Sequence, residues 1–263
     1  MSKQKTMSDH DPADTLRAIL SRYWGYEDFL PMQREAMECG MHGRDSVVVL
    51  PTGGGKSLCY QAPAVHREGM ALVVSPLISL MKDQVDALRE CGVRAARLDS
   101  SLAAAEKKDV LRAIRQDEVK LLYVSPERLL SERFSAIIGD RQISLIAIDE
   151  AHCVSMWGHD FRPEYRALGS LRDRYPEASI HAFTATATPR VRRDISKALN
   201  LESPRMLVGS FDRPNLVFRV RRRTSRLKQV RSVIDRHRDQ SGIVYCLRRS
   251  DVDDLCRSLS SCG

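Results

Sequence analysis

No stretch of the 263-residue chain stays apolar for the roughly 18 residues that a membrane-crossing helix requires. The opening residues, Met1 to Pro12, are polar and mixed in charge and lack the apolar core of a signal peptide, so residues 1–14 read as a disordered tail. The seven cysteines include no C-x-x-C pair and no Cys/His grouping at zinc spacing, so no structural zinc is expected. Cys59 and Cys246 fall inside apolar runs and read as small buried thiols. That usage suits a reducing cytoplasm, or the nucleoid of a bacterium. Aromatic residues are scarce at 6%, and with 43% hydrophobic and 29% charged residues the composition is that of a soluble α/β protein. The length allows one large domain or two small ones.

The net charge of +8 is local. Residues 219–238 hold nine Arg/Lys and one Asp, leaving 33 charges of each sign elsewhere. Such a run is either a solvated helix face or a phosphate-contacting surface, and the sequence leaves both open.

Short apolar runs alternate with amphipathic segments from about residue 46. The strand candidates are Ser46–Leu50, Ala71–Ser75, Val93–Leu98, Lys120–Ser125, Ile143–Asp149, Ser179–Ala185 and Arg205–Val208. They are rich in β-branched residues and nearly unbroken in hydrophobicity, as strands buried on both faces should be. Between them lie helical patterns such as Leu77–Glu90, with Leu77, Leu80, Met81, Gln84, Val85 and Leu88 at three- and four-residue steps. This alternation predicts a parallel sheet with helices on both faces and ligands beyond the carboxyl ends of the strands. Near Ser210–Asn215 the pattern breaks. A strand (Leu216–Val220), a helix (Arg226–Arg238), a strand (Gly242–Leu247) and a last helix capped by Ser250 and Asp253 then read as the opening of a second α/β unit.

The chemistry begins at Pro51-Thr-Gly-Gly-Gly-Lys-Ser57, between a strand and a helical pattern. Thr52, Gly53, Gly54 and Gly55 give a loop whose backbone amides can turn inward on phosphate oxygens, helped by the positive end of the next helix. Lys56 reaches the β- and γ-phosphates in such a loop, and the Ser57 hydroxyl takes Mg²⁺. Leu50 stands where the general pattern wants its first glycine. The alternative is a glycine-rich turn that binds nothing. Asp149-Glu-Ala-His152 closes an apolar strand. Asp149 at a strand end is placed for Mg²⁺, and Glu150 for the water that attacks the γ-phosphate. Paired acids after a strand also serve as helix caps, but the upstream loop favours the catalytic reading.

Together these residues resemble a superfamily 2 helicase of the DEAH type, and specifically the RecQ family. Three features are narrower than the loop and the acids. Trp24-Gly-Tyr-Glu-Asp-Phe-Leu-Pro-Met-Gln33 resembles the family's adenine-reading motif, implying that Tyr26 stacks on the base and Gln33 bonds its edge. Val74–Gln84 resembles motif Ia, and Ser125-Pro-Glu-Arg128 motif Ib, implying strand-backbone contacts from Ser75, Lys82, Ser125 and Arg128. Trp157-Gly-His-Asp-Phe-Arg-Pro-Glu-Tyr165 resembles the aromatic-rich loop that couples DNA to hydrolysis. Its Trp157, Phe161 and Arg162 offer faces and a charge to unpaired bases, whereas the alternative is that such aromatics fill a core. Phe183-Thr-Ala-Thr-Ala187 resembles motif III, with Thr184 and Thr186, and His152 beside them, linking acids to the DNA side. The chain departs from the family at Leu30, where arginine is usual, and at Met156, where glutamine is usual. After Tyr245 and Cys246 its likeness to motif IV weakens.

The resemblance spans residues 15 to 263. It implies a RecA-like P-loop NTPase domain over residues 15–209 and the start of a second RecA-like domain over 210–263. It further implies ATP and Mg²⁺ as ligands, single-stranded and forked DNA as partners, and no membrane. The activity implied is that of an ATP-dependent 3′–5′ helicase, a hydrolase and isomerase, in recombination and repair. Motifs V and VI, with the arginine finger, are expected beyond Gly263, so these residues alone are not expected to unwind DNA. The competing expectations are a non-motor module that holds ATP and single-stranded DNA, and a DEAD-box-like RNA helicase.

Overall fold

A computed structural model of the chain describes residues 11–158, 160–210 and 215–261. The chain divides into two compact units, Met1–Phe211 and Asp212–Gly263. In the first, the apolar runs form seven strands: β1 (Ser46–Val49), β2 (Met70–Val74), β3 (Ala95–Leu98), β4 (Leu121–Val124), β5 (Ile143–Ile148), β6 (Ser179–Thr184) and β7 (Arg205–Val208). They make one parallel sheet in the order β3-β4-β2-β5-β6-β1-β7.

Alternate residues of each strand feed cores on opposite faces. Val47, Val49, Leu72, Val74, Ile146 and Ile148 pack into one, and Val48, Ala71, Val73, Leu145, Ala147 and Phe183 into the other. Each residue of β1, β2, β4, β5 and β6 is buried, which is why their sequences show no polar alternation.

The covering helices are α1 (Pro12–Trp24), α2 (Gln33–Met41), α3 (Lys56–His66), α4 (Ile78–Glu90) and α5 (Ala104–Arg115). Shorter ones follow: α6 (Pro126–Leu129), α7 (Glu132–Ile138), α8 (Pro163–Arg166), α9 (Leu171–Arg174) and then α10 (Pro189–Ala198). In α4 the apolar spacing turns Met81, Val85 and Leu88 inward. Helix α1 starts earlier than the expected tail allows. Asp11 caps it, accepting from the Ala13 amide at 3.0 Å, with Pro12 in the first turn where its missing N–H costs nothing. Residues 12–14 are therefore helix; the rest of the expected tail lies outside the described residues but for Asp11.

The second unit holds α11 (Arg226–Ile234) and α12 (Arg249–Ser260). The strands expected at 216–220 and 242–247 do not form. Their apolar side chains are exposed, with Phe218 at 90% and Tyr245 at 88%. Without a covering layer these residues forgo the roughly 1.5–3 kcal/mol that burying a large side chain returns, and two short strands alone are marginal. Helix α11 ends four residues before the expected Arg238 and buries no side chain. Ser250 is no cap either: Arg248 precedes the first turn in extended backbone and Ser250 lies within it. The basic residues from Arg219 to Arg223 are exposed.

One buried group gives the first unit a pH dependence. His181 of β6 is buried between the hydroxyls of Ser46 and Ser179, each 2.9 Å from a ring nitrogen. Burial, aided by Arg67 and opposed by Asp45, lowers its pKa to about 4. Its folded pKa lies below the unfolded 6.5, so between those values the unfolded chain holds more protons and stability falls as pH falls. The full effect is about 3 kcal/mol. Asp149, pushed up to about 6, acts in the opposite sense over much of that window. The expected result is therefore a difference: between pH 7 and pH 4.5, wild type loses more stability in urea melts than His181→Asn. Parallel curves for the two proteins would rule the effect out.

Candidate functional site

Five strands deliver their chemistry at the same, carboxyl edge of the sheet. In spatial order β4 ends at Ser125, β2 at Ser75, β5 at Asp149, β6 at Thr184 and β1 at the loop Leu50–Gly55. The acid strand and the loop strand are not bonded neighbours, because β6 lies between them.

The loop is shaped by positive backbone angles at Gly53 (φ 82°) and Gly55 (φ 68°). Gly54 donates to the Pro51 carbonyl at 2.9 Å, closing the turn. A Cβ at Gly55 would collide with the Gln33 side-chain amide. That amide donates to the Gly55 carbonyl at 3.2 Å, and its oxygen accepts from the Leu30 amide at 2.8 Å. Gln33 is thus buried and clamps the segment from Leu30 to the phosphate loop, with both halves of its amide engaged inside the chain. Tyr26 is half exposed. Lys56 lays its ammonium on the carbonyls of Leu50 (3.2 Å) and Pro51 (3.5 Å), across the loop.

The DEAH residues form a connected set. Glu150 takes a left-handed backbone (φ 48°), a conformation that costs an ordinary residue about 1–3 kcal/mol and persists where its surroundings enforce it. Here its amide donates to the Asp149 carboxylate at 2.9 Å and its carbonyl accepts from Cys153 at 2.9 Å, starting the 3-10 turn Ala151–Val154. The Glu150 carboxylate lies 3.2 Å from His152 Nδ1, which is also 3.0 Å from the Thr184 hydroxyl. That hydroxyl accepts from the Thr186 amide and donates to its carbonyl, each at 3.2 Å. The residues expected to couple acids to motif III are therefore adjacent. Burial, then the charge of Glu150, pushes the Asp149 carboxyl up to about 6, with Lys56 and His152 opposing.

Tyr60, which the motif reading passes over, lies one turn beyond Ser57. Its fully buried hydroxyl makes no hydrogen bond of ordinary geometry. Burial, then Tyr123 and Asp149, hold this phenol well above its usual range, with Ser57 acting the other way. The hard oxygens of Ser57 and of the buried Asp149 carboxyl are the donors Mg²⁺ takes, so the donor set fits that cation.

The aromatic segment splits in two. Tyr165 is fully buried, and its hydroxyl donates to the Asp149 carbonyl at 3.2 Å. Trp157 and Phe161 remain on the surface, 58% and 39% exposed. Arg162 makes two bonds to Asp160, at 2.8 and 3.2 Å. Donor atoms of His152, Cys153 and Asp160 lie within 4.8 Å of one another, a grouping that sequence spacing does not announce, but Arg162 already occupies that carboxylate. His159 is outside the described residues.

The residues of motifs Ia and Ib are spread more widely. Lys82 is exposed and pairs with Asp86 at 3.3 Å. Ser125 and Arg128 share a cavity of about 400 Å³ with Lys107, Arg133 and Glu127, a lining with three basic groups to one acid that is suited to phosphate. Ser75 is buried at the tip of β2, its hydroxyl unpartnered.

A family model described as DEAD/DEAH box helicase matches residues 30–195. The ATP-dependent DNA helicase RecQ of Pasteurella multocida is 45% identical over 93% of the chain, and that of Bacillus subtilis 42% identical over 92%. The chain spans 39% and 42% of the lengths of these two relatives. Among solved structures, the DUF1998 helicase MrfA superposes with a TM-score of 0.68 at 20% identity, covering 97% of the chain and 41% of MrfA. A hypothetical ATP-dependent RNA helicase from Sulfolobus tokodaii gives 0.57 at 18% identity, over 74% of the chain and 57% of its own length. At such identities the likeness speaks for the fold alone, a RecA-like helicase domain. The residue-level match lies with the RecQ proteins, and the chain belongs to the DEAD/DEAH box helicase family, on its RecQ branch.

Proposed function

We propose that this chain is the ATP-binding part of an ATP-dependent DNA helicase, in which unpaired DNA on the Trp157 side controls hydrolysis at Glu150. One observation carries the reading: the unbroken series Glu150, His152, Thr184, Thr186 beside the phosphate loop, with exposed Trp157 three residues beyond the DEAH turn. Lys56 and the amides of residues 52–55 hold the triphosphate, Tyr26 flanks the adenine, and Ser57 with Asp149 holds Mg²⁺. The cation supplies charge neutralisation at the phosphates. Glu150 orients the attacking water and accepts its proton.

The DNA face takes Ser125, Arg128 and Lys82 for the backbone, and Trp157, Phe161 and Arg162 for bases. Ser75 serves from beneath, through the tip of β2. The finer assignments are residues 15–209 as the first motor domain and 210–263 as the start of a second, 3′–5′ polarity, forked substrates, a role in recombination and repair, and a place in the cytoplasm or nucleoid. They rest on the likeness to RecQ proteins.

The test measures ATP hydrolysis with and without a single-stranded oligonucleotide. Wild type should respond to the DNA, and Trp157→Ala should need about 5–150 times more of it, the worth of one base–aromatic stack. Stimulation by RNA but not DNA, or none in either protein, would refute the reading.

A further inference from the structure

The Trp157 ring is covered on one face. The guanidinium carbon of Arg190 sits 3.2 Å from its centre. Arg190 is in the first turn of α10, the helix that follows the Thr184–Thr186 segment. A second tie joins the same two elements. Ser155, fully buried, donates to Asp194 at 2.8 Å, and its hydroxyl accepts from the Trp157 amide at 3.2 Å. Asp194 also holds Arg166 at 3.4 Å. Positions 190 and 194 lie one above the other on a helix. One stripe of α10 therefore fixes the backbone of Trp157 from Asp194 and covers its ring from Arg190.

We infer that Arg190 sets the selectivity of the Trp157 site: its guanidinium closes the indole face, and only a ligand that stacks well enough to displace it gains that face. This rests on the proposed function, in which Trp157 takes an unpaired base. The two interactions are unequal in strength. An exposed cation–π contact is worth about 2–5-fold in an equilibrium, and a stacked base about 5–150-fold. A base therefore wins the face, whereas a duplex, whose bases stack on each other, has nothing to offer in exchange. Displacement also moves a residue of α10, so occupancy of Trp157 reaches the helix that begins just past Thr186.

Arg190 is exposed, so Arg190→Ala should fold normally. The experiment uses the full chain with labelled single-stranded oligonucleotides, followed by anisotropy across a salt series, and acrylamide quenching of tryptophan without DNA. Trp157→Phe assigns the quenching signal, since Trp24 also emits. Arg190→Ala should bind the oligonucleotide about 2–5 times more tightly, with an unchanged salt slope, and Trp157 should become more quenchable. Arg190→Lys, which keeps the charge and loses the flat face, should fall between. Weaker binding by Arg190→Ala, with the salt slope reduced by about one, means that Arg190 grips a phosphate and overturns the inference. So does unchanged affinity with unchanged quenching. If Trp157→Ala binds as wild type while Arg190→Ala still uncovers the ring, the base-stacking reading has failed, and competition for the face fails with it.

Discussion

Glu150→Gln takes up MgATP as wild type does and hydrolyses it about 10²–10⁴ times more slowly, the usual worth of a general base. The substitution keeps the shape of the side chain, so the left-handed backbone at this position and the approach to His152 survive. What disappears is a proton acceptor. The charge change acts on Asp149 as well. After burial, Glu150 is the largest influence raising the Asp149 carboxyl, so its neutralisation lets Asp149 ionise more readily and leaves the cation site no weaker. Nucleotide binding read from a fluorescent ATP analogue, beside phosphate release, separates the two effects. Loss of binding in step with turnover would mean that Glu150 builds the site rather than working in it.

Gly55→Ala is expected to fail earlier, at binding. A left-handed backbone costs an alanine about 1–2 kcal/mol, and the new methyl group meets the Gln33 amide, which is buried. Overpacking of this kind adds about 1–3 kcal/mol. The cheapest relief is to push Gln33 off the Gly55 carbonyl, which releases the loop from the segment beginning at Leu30. ATP affinity should fall about 10–1000-fold, because the amides that face the phosphates lose their fixed directions. The pairing gives a sharper check. Gln33→Ala removes the obstacle but not the backbone strain, so the double variant should bind better than the sum of the single losses predicts. Strict additivity would show that Gly55 and Gln33 do not meet, and wild-type affinity in Gly55→Ala would show that this loop is not the cradle.

The parallel sheet was legible because its strands are unbroken apolar runs, a pattern with few other uses once flanked by amphipathic helices. The same reasoning failed at Leu216–Val220 and Gly242–Leu247. Apolar spacing records what a segment is able to bury, not whether a surface is there to bury it against. In the aromatic segment, composition placed Trp157, Phe161 and Tyr165 together but did not sort them. Tyr165 turns inward because its hydroxyl finds the Asp149 carbonyl, a partner fixed only by the folded chain. Gln33 is of a type that bonds an adenine edge, but an amide serves a backbone equally well, and its bonds to Gly55 and Leu30 are a second use that the motif does not announce. Asp194 gave no signal at all. It looks like any acid on a helix, and its partner Ser155 lies 39 positions earlier.

The strand inserted between the acid and the loop serves both. β6 is bonded along its length to β5 on one side and to β1 on the other. The acid end and the loop end have no ladder of their own in common, and Thr184 stands at the tip of the strand they share. A pull on that tip is handed to two neighbours at once, through the ladders and, on the acid side, through His152 as well.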